Sequence, residues 1–410
     1  MPMNKNNTIF SEADILLPAF SADPDAMKRW AVIACDQFTS QPEYWESCTS
    51  VIGSRPSALG FIMPEAWLGT DQEKEHADRI RENMAAFNPV GMRPVRGFIR
   101  LERTLPDGSV RRGIVGKIDL DAYDYSPGSS SPVRATEKTV LERIPPRMRV
   151  RAEAAVELPH ILILADDRTG LFDFASALPG SVDYDFELMQ GGGSLRGWRI
   201  EGHEARRLTE KIAEYESSRP GMVYAMGDGN HSLAAAKAHW ENVKRETGDP
   251  FHPARYALCE ITPLGDASLR FEPIYRLLKN CDPDDFFAAI ASAAVPADGS
   301  GQTFEAVSRK RRGTFRFASP THALTVGSLQ DFLDAYVKAT PGVVCDYIHG
   351  ESTLRRLAEK ENTVGFLFPG LDKDELFPYV EKYGTLPRKT FSMGEAESKR
   401  YYLECRRITL

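Results

Sequence analysis

Apolar and polar positions alternate along this chain with two different periods, and the two periods meet at one place. From Met222 the chain reads MVYAMGDGNHSLAAAKAHW. The first five positions are mostly apolar and β-prone and predict a buried strand. From His231 onward, Leu233, Ala236, Lys237 and Trp240 recur at helical spacing with alanines between them, which predicts a helix. Gly227 and Gly229 bracket Asp228 and permit a turn that other residues resist.

The same two periods predict the remaining elements. AVIAC (31–35) reads as a buried strand, and Pro42 opens a helix. Residues 71–87 form a helix with a charged outer face. Residues 97–120 alternate around Pro106-Asp107-Gly108-Ser109, a hairpin signal. A strongly apolar strand lies within 157–167, a helix over 203–218, a strand over 255–261 and a helix over 282–293. TFRFA (314–318) reads as a strand. Helices at 328–339, 351–361 and 373–382 alternate with strands at 363–368 and 401–408. Strands and helices mix without a regular βαβ beat. The expected class is therefore α+β, with mixed sheets and surrounding helices. The Ser, Pro and Gly-rich stretch 124–134 is a loop or a link. The expected organisation is an N-terminal lobe over 1–125, a central region over 126–285 and a C-terminal lobe over 286–410, unless these form one continuous domain.

Composition narrows the function classes. A chain of 410 residues suffices for one large or two ordinary domains. Its formal net charge of −7 disfavours nucleic acid as a partner. The basic run Arg309–Arg312 reads as a solvated turn. Gly191-Gly192-Gly193 reads as a plain loop, because no Lys-Ser/Thr pair follows it as in a phosphate loop. The six cysteines are scattered without a CxxC pair, which fits a reducing compartment. No run approaches the ~18 apolar residues of a membrane span, and the polar start lacks a signal-peptide core. The expected location is the cytoplasm, with no membrane partner.

Candidate chemistry concentrates at the corner after the central strand. Asp228, Asn230, His231 and Ser232 place a carboxylate, an amide, an imidazole and a hydroxyl within five residues, beside backbone N–H groups suited to an anion. A bland reading stands beside this one, because Asp-Gly-Asn is also a common turn. In VRATE (133–137), Arg134 and Glu137 share a face if the segment is helical. Arg143 and Arg147 follow around a Pro-Pro. Arg134 and Glu137 read either as a structural ion pair or as part of a phosphate clamp, with Glu137 as base or Mg²⁺ ligand. Asp346, His349 and Glu351 form a third ionisable cluster, from which His349 is added to the site. Lys389 is a point charge for phosphate. Asp36, after the first apolar strand, is at a place where polar side chains often reach a pocket. Cys35 lies in an apolar strand and reads as an inert thiol rather than a nucleophile.

Several stretches together resemble the domain of unknown function 1015 family. They are ACDQFTSQPEYW (34–45), MPE (63–65), VRATE, ERIPPR (142–147), GDGNH (227–231), FEPIYR (271–276), DYIHGE (346–351) and LPRKTFSMGEA (386–396). In relatives the GDGNH stretch reads Asp-Gly-His-His-Arg. That motif resembles one in the ParB/sulfiredoxin superfamily, whose members include CTP-hydrolysing partition proteins, sulfiredoxins and a free-serine kinase, and where the loop and helix start bind nucleotide phosphates. The resemblance implies a partly ParB/sulfiredoxin-like fold. This chain departs from the motif, with Asn230 in place of the first His and Ser232 in place of the Arg, and with Tyr275 where a His is expected. The loss of the guanidinium removes a planar donor pair for phosphate.

Residues and resemblance together give the expectation of an enzyme that binds a nucleotide or phosphorylated small molecule, with Mg²⁺. It would catalyse phosphoryl transfer or phosphate-ester hydrolysis, with a link to serine metabolism. Asp228, His231 and Glu137 are the expected catalytic residues, and Asp228 and Glu137 the metal ligands. Gly227, Gly229, Asn230, Ser232, Arg134, Arg143, Arg147 and Lys389 are expected to hold phosphate, with Asp36 and His349 nearby. The alternative is a ParB-like nucleotide- or metabolite-sensing regulator without turnover. A third is an inactive relative.

Overall fold

In the computed structural model, which describes residues 8–71, 73–88 and 91–410, most of the apolar runs before residue 269 pair into one mixed sheet. The chain divides into two units, residues up to 269 together with 395–410, and residues 270–394. This division differs from three consecutive lobes, because residues 395–410 return to the first unit.

The first unit's large sheet has thirteen strands. Across it run Tyr123–Asp124, Val133–Arg134, Tyr224–Asp228, Leu162–Ala165, Tyr256–Pro263, Val110–Asp119, Met92–Thr104, Ala13–Pro18, Cys405–Arg407 and Val156–Glu157. Parallel and antiparallel pairs are interspersed. Helices surround the sheet, so the fold class is the α+β arrangement expected from the sequence. On one face Phe98, Ile163, Met226, Leu233 and Trp240 share a core. Trp30, Trp45, Trp67 and Val95 share another.

Most predicted elements appear. The 97–120 alternation forms the antiparallel strands Met92–Thr104 and Val110–Asp119. The helices are Pro42–Ile52, Glu73–Ala86, Gly202–Ser217 and Asn230–Thr247. One expectation needs correction, and one open reading is decided. AVIAC contributes only Val32–Ile33, which pair with Tyr401–Tyr402. The VRATE segment is not helical. Val133 and Arg134 pair in parallel with Tyr224 and Ala225, and residues 135–140 run on without helix. Sheet pairing takes the hydrogen bonds that a helix would have used, so Arg134 and Glu137 do not share a helical face. A helix follows at Ile144–Glu153, with proline in its first turn where no N–H is needed.

Residues 395–410 are fixed by buried charge. The Arg400 guanidinium pairs with Glu260 at 2.7 Å and Glu404 at 2.9 Å, all three buried. The Tyr184 hydroxyl donates to Glu404 at 2.6 Å. Arg103 donates to the Glu397 carbonyl at 2.8 Å, and Arg111 to the Ser398 carbonyl at 2.8 Å. A side chain at Gly113 would overlap the Glu260 carboxylate, so glycine there makes room for the pair.

In the second unit a seven-stranded sheet runs Ala294–Pro296, Arg312–Phe317, Thr303–Val307, Thr363–Leu367, Phe271–Lys279 and Val344–His349, with Phe391–Met393 paired to Phe271–Lys279. Phe286, Phe304, Leu329 and Phe366 fill its core. The basic run at 309 forms an exposed tight turn closed by Ser308 and Arg311, as expected. This unit's two ends meet, with the Gly394 N–H donating to the Arg270 carbonyl at 3.0 Å. Among the described residues no helix is long and apolar enough to cross a membrane. All six cysteines are free.

Two positions give stability predictions. Gly229 joins the central strand to its helix with φ +77°, and a Cβ there would lie 3.1 Å from Ile161 Cα. Gly229→Ala should lower the unfolding free energy by about 1–3 kcal/mol in urea titration. Buried Glu216 accepts from the Ile9 and Phe10 N–H groups, both at 2.9 Å. Burial pushes its carboxyl up to about 7 against the pull of those bonds. A carboxyl raised in the folded state stabilises below its unfolded value, and that contribution is lost as pH rises through the folded one. Glu216→Gln should therefore gain roughly 2 kcal/mol relative to the parent between about pH 5 and pH 8, measured by denaturant unfolding at each pH.

Candidate functional site

The strand Tyr224–Asp228 ends one residue before the helix Asn230–Thr247, and left-handed Gly229 makes the corner. No side chain caps this helix. Its first N–H groups therefore lack a side-chain cap at the positive end of the helix dipole. Neighbouring side chains hold the corner in place. The Asn230 amide donates to the Glu137 carbonyl at 3.3 Å and to Thr139 Oγ1 at 3.2 Å, and its own oxygen accepts from the Tyr123 hydroxyl at 3.3 Å. The Thr136 hydroxyl donates to the Met226 carbonyl at 2.8 Å. Asn230 thus acts first as a clamp between the VRATE segment and the corner.

Asp228 spends one oxygen locally, with Oδ1 accepting from the Gly229 N–H at 2.9 Å. Its Oδ2 is buried and has no hydrogen-bond partner. Lys399 Nζ lies 3.7 Å from that oxygen, and both side chains are 14% exposed. Asp36 joins the same field. Burial pushes its carboxyl up, but His160, a hydrogen bond from Gln37 and Lys399 outweigh burial and hold it below the usual range. The site therefore combines two carboxylates with a lysine between their influences. The network around Arg103, Arg111 and Arg400 fixes the backbone that carries Lys399.

A second layer comes from the helix Ile144–Glu153. Arg147 donates to Glu65 Oε1 at 3.2 Å and to the Arg143 carbonyl at 3.2 Å. His231 Nε2 accepts from the Val140 N–H at 3.2 Å, which leaves the ring proton on Nδ1. Burial, then Arg147 and Arg143, push the His231 imidazole down, with Asp36 opposing. The ring is accordingly neutral near pH 7 and can donate from Nδ1. Cys35 does not act as a nucleophile here. Burial pushes its thiol up to about 11, although the Tyr402 hydroxyl donates to Sγ at 3.1 Å.

A cavity of about 400 Å³ lies against this layer. Ser232 and Ala235 of the corner helix line it, as do Arg147, Glu65, His160 and Cys35. Four of the stretches that carry the family resemblance thus converge: Cys35 and Asp36, Glu65, Arg147, and Asp228 with His231.

The other expected residues are placed as follows. Gly227 lies within the central strand. Arg134 is buried and donates from Nε to the Ser131 carbonyl at 2.7 Å, stapling its own loop. Glu137 reaches the corner through its backbone carbonyl. Arg143 is exposed at the start of the Ile144–Glu153 helix. Among the described residues no group of three or more His, Cys, Asp or Glu is placed to hold a metal ion. His349 and Lys389 belong to the second unit. There His349 Nδ1 lies 3.4 Å from Ser392 Oγ, and left-handed Lys389 (φ 53°) gives its carbonyl to buried Arg276 at 3.1 Å. Sequence reasoning did not single out Lys399, His160 or Glu65. Glu65 had a signal, since it ends the MPE stretch.

A search of curated proteins gave no match. Among solved structures, a conserved hypothetical protein from Pyrococcus furiosus is 12% identical, with 70% of this chain and 92% of that one covered at a TM-score of 0.36. A free serine kinase in complex with AMP is 10% identical, with 72% and 91% covered at 0.39. SbnI with a C-terminal truncation, from Staphylococcus aureus, is 10% identical, with 72% and 87% covered at 0.39. At these TM-scores the likeness carries no argument about what this chain binds. The family model described as protein of unknown function (DUF1015) matches residues 16–406, nearly the whole length over which the quoted stretches are spread, and the chain belongs to that family.

Proposed function

We propose that this chain is an enzyme that binds a nucleotide or phosphorylated small molecule beside the Gly229 corner and transfers or hydrolyses its phosphoryl group. One observation carries the reading. Asp228 Oδ2 is buried, lacks a hydrogen-bond partner, and stands 3.7 Å from Lys399 at the foot of an uncapped helix. A buried carboxylate oxygen without a partner is costly unless something arrives to use it.

The roles follow from charge. The open N–H groups of the helix start, Lys399 and the His231 Nδ1–H are donors for phosphate oxygens. Arg147 adds positive charge to the field from the neighbouring helix while it stays paired with Glu65. Asp228 Oδ2 accepts the proton of the attacking hydroxyl, from water or from an acceptor alcohol. The phosphorus–oxygen bond to the leaving group then breaks as the new one forms. Positioning and charge stabilisation supply most of the acceleration. The corner is used here as the ParB/sulfiredoxin resemblance implies. A Mg²⁺ ion carried by a nucleotide needs only one or two protein carboxylates; with Asp228 Oδ2 assigned to the proton, Glu137 is the carboxylate that would hold it and help to neutralise phosphate charge.

Purified protein should raise its melting temperature with, and turn over, at least one member of a panel of nucleoside di- and triphosphates, phosphoserine and simple aryl and alkyl phosphates with Mg²⁺. Silence across the whole panel, in both melting and turnover, would sink the proposal. Asp228→Asn should keep the fold by circular dichroism and lose about 100-fold or more in kcat. Lys399→Met should act mainly through KM for the phosphorylated ligand, raising it about tenfold. Full activity in Asp228→Asn would remove that residue from the chemistry.

A further inference from the structure

The cavity beside the corner is large enough for a ligand body, and its walls are mainly hydrocarbon. Its volume of about 400 Å³ falls in the range of small-molecule pockets. Trp30, Phe61, Met63, Met84, Leu158 and Tyr402 form much of the wall. Charged groups reach it too, and its two arginines and two glutamates lie in ion pairs with each other. Arg151 meets Glu157 at 2.6 Å, and Glu157 also accepts from Arg406 at 2.6 Å and from the Leu258 N–H at 2.8 Å. Arg147 meets Glu65 at 3.2 Å. With Arg151 and Arg406 against it, Glu157 stays ionised despite its burial.

The pairing decides what the cavity can recognise. A free amino acid would carry an ammonium and a carboxylate into it, and each needs an uncommitted counter-charge or loses more in desolvation than it gains. The purine and ribose of a nucleotide would likewise bring several polar atoms to a wall of aromatic rings, thioethers and methyl groups. A hydrocarbon body brings no such cost and gains by leaving water. Ser232 links the two regions, since it lines the cavity and belongs to the first turn of the corner helix.

We infer that the phosphorylated ligand has an apolar body, aryl or alkyl, which occupies this cavity while its phosphate meets the corner. The inference rests on the phosphate reading above and names the substrate class for it. The wall set by Ala235 and Met84 then acts as the specificity element. Ala235 is buried on the corner helix, and Met84 comes from the helix Glu73–Ala86, which has no buried residue and so tolerates a larger side chain.

The test measures dissociation constants by calorimetry for phenyl phosphate and hexyl phosphate against phosphoserine and AMP. The expected result is that an apolar ester binds about tenfold or more tightly than either polar-bodied ligand, from the area that it buries. In Ala235→Leu and Met84→Trp, each checked for folding by circular dichroism and melting, that ratio should fall toward one. Phosphoserine or AMP binding as well as the apolar esters would overturn this inference and leave the phosphate reading standing. An apolar advantage that survives in both folded variants would also overturn the assignment to this cavity. If inorganic phosphate and all four esters fail to bind, the phosphate reading falls and this inference falls with it.

Discussion

The pairing of Arg400 with Glu260 and Glu404 is the constraint on which the first unit's site depends. Each member is buried, and each would be costly alone. Together they lock a segment from near the end of the sequence onto strands laid down much earlier. Arg103 and Arg111 add charged hydrogen bonds to the backbone at Glu397 and Ser398. These bonds precede Lys399 and the Arg400 pairs follow it, so its ammonium is held near Asp228. A lysine on an untethered tail would spread its charge over many positions, whereas this one is confined to a single neighbourhood.

The site gathers opposite charges without letting them cancel. Asp228 and Lys399 are 3.7 Å apart, near enough to attract and too far for a good hydrogen bond. The carboxylate oxygen therefore remains available. Asp36 is held ionised by His160, Gln37 and Lys399 together. Arg147 and Glu65 form a separate pair on the cavity wall. Such a distribution leaves both donors and acceptors unmatched, which a full set of ion pairs would not.

How much of this was legible follows from distance along the chain. The strand, Gly229 and helix were readable because two periods collide at a residue free to take positive φ. Ser232 sits in that same local pattern. Lys399 was not readable: its segment, AESKRYY, has no periodic signal, and the Glu260–Arg400 pair that fixes it spans 140 positions. His160 looked like the lead-in to an apolar strand. Arg134 and Glu137 would share a face only in a helix, and their spacing alone does not say whether one forms. Tyr224 and Ala225, ninety positions later, claim that backbone for the sheet instead. Local propensity is a weak guide wherever a remote strand can supply hydrogen bonds.

The bond between Gly394 and Arg270 has a consequence for how the chain tolerates change. The second unit leaves and re-enters side by side, with the Gly394–Arg270 bond at the mouth of the ladder that pairs Phe271 with Met393 and Glu272 with Ser392. Closing the gap between such neighbouring ends needs few residues and little loop entropy. The unit is thus a cassette: lengthening, shortening or swapping it leaves the connectivity of the large sheet as it was.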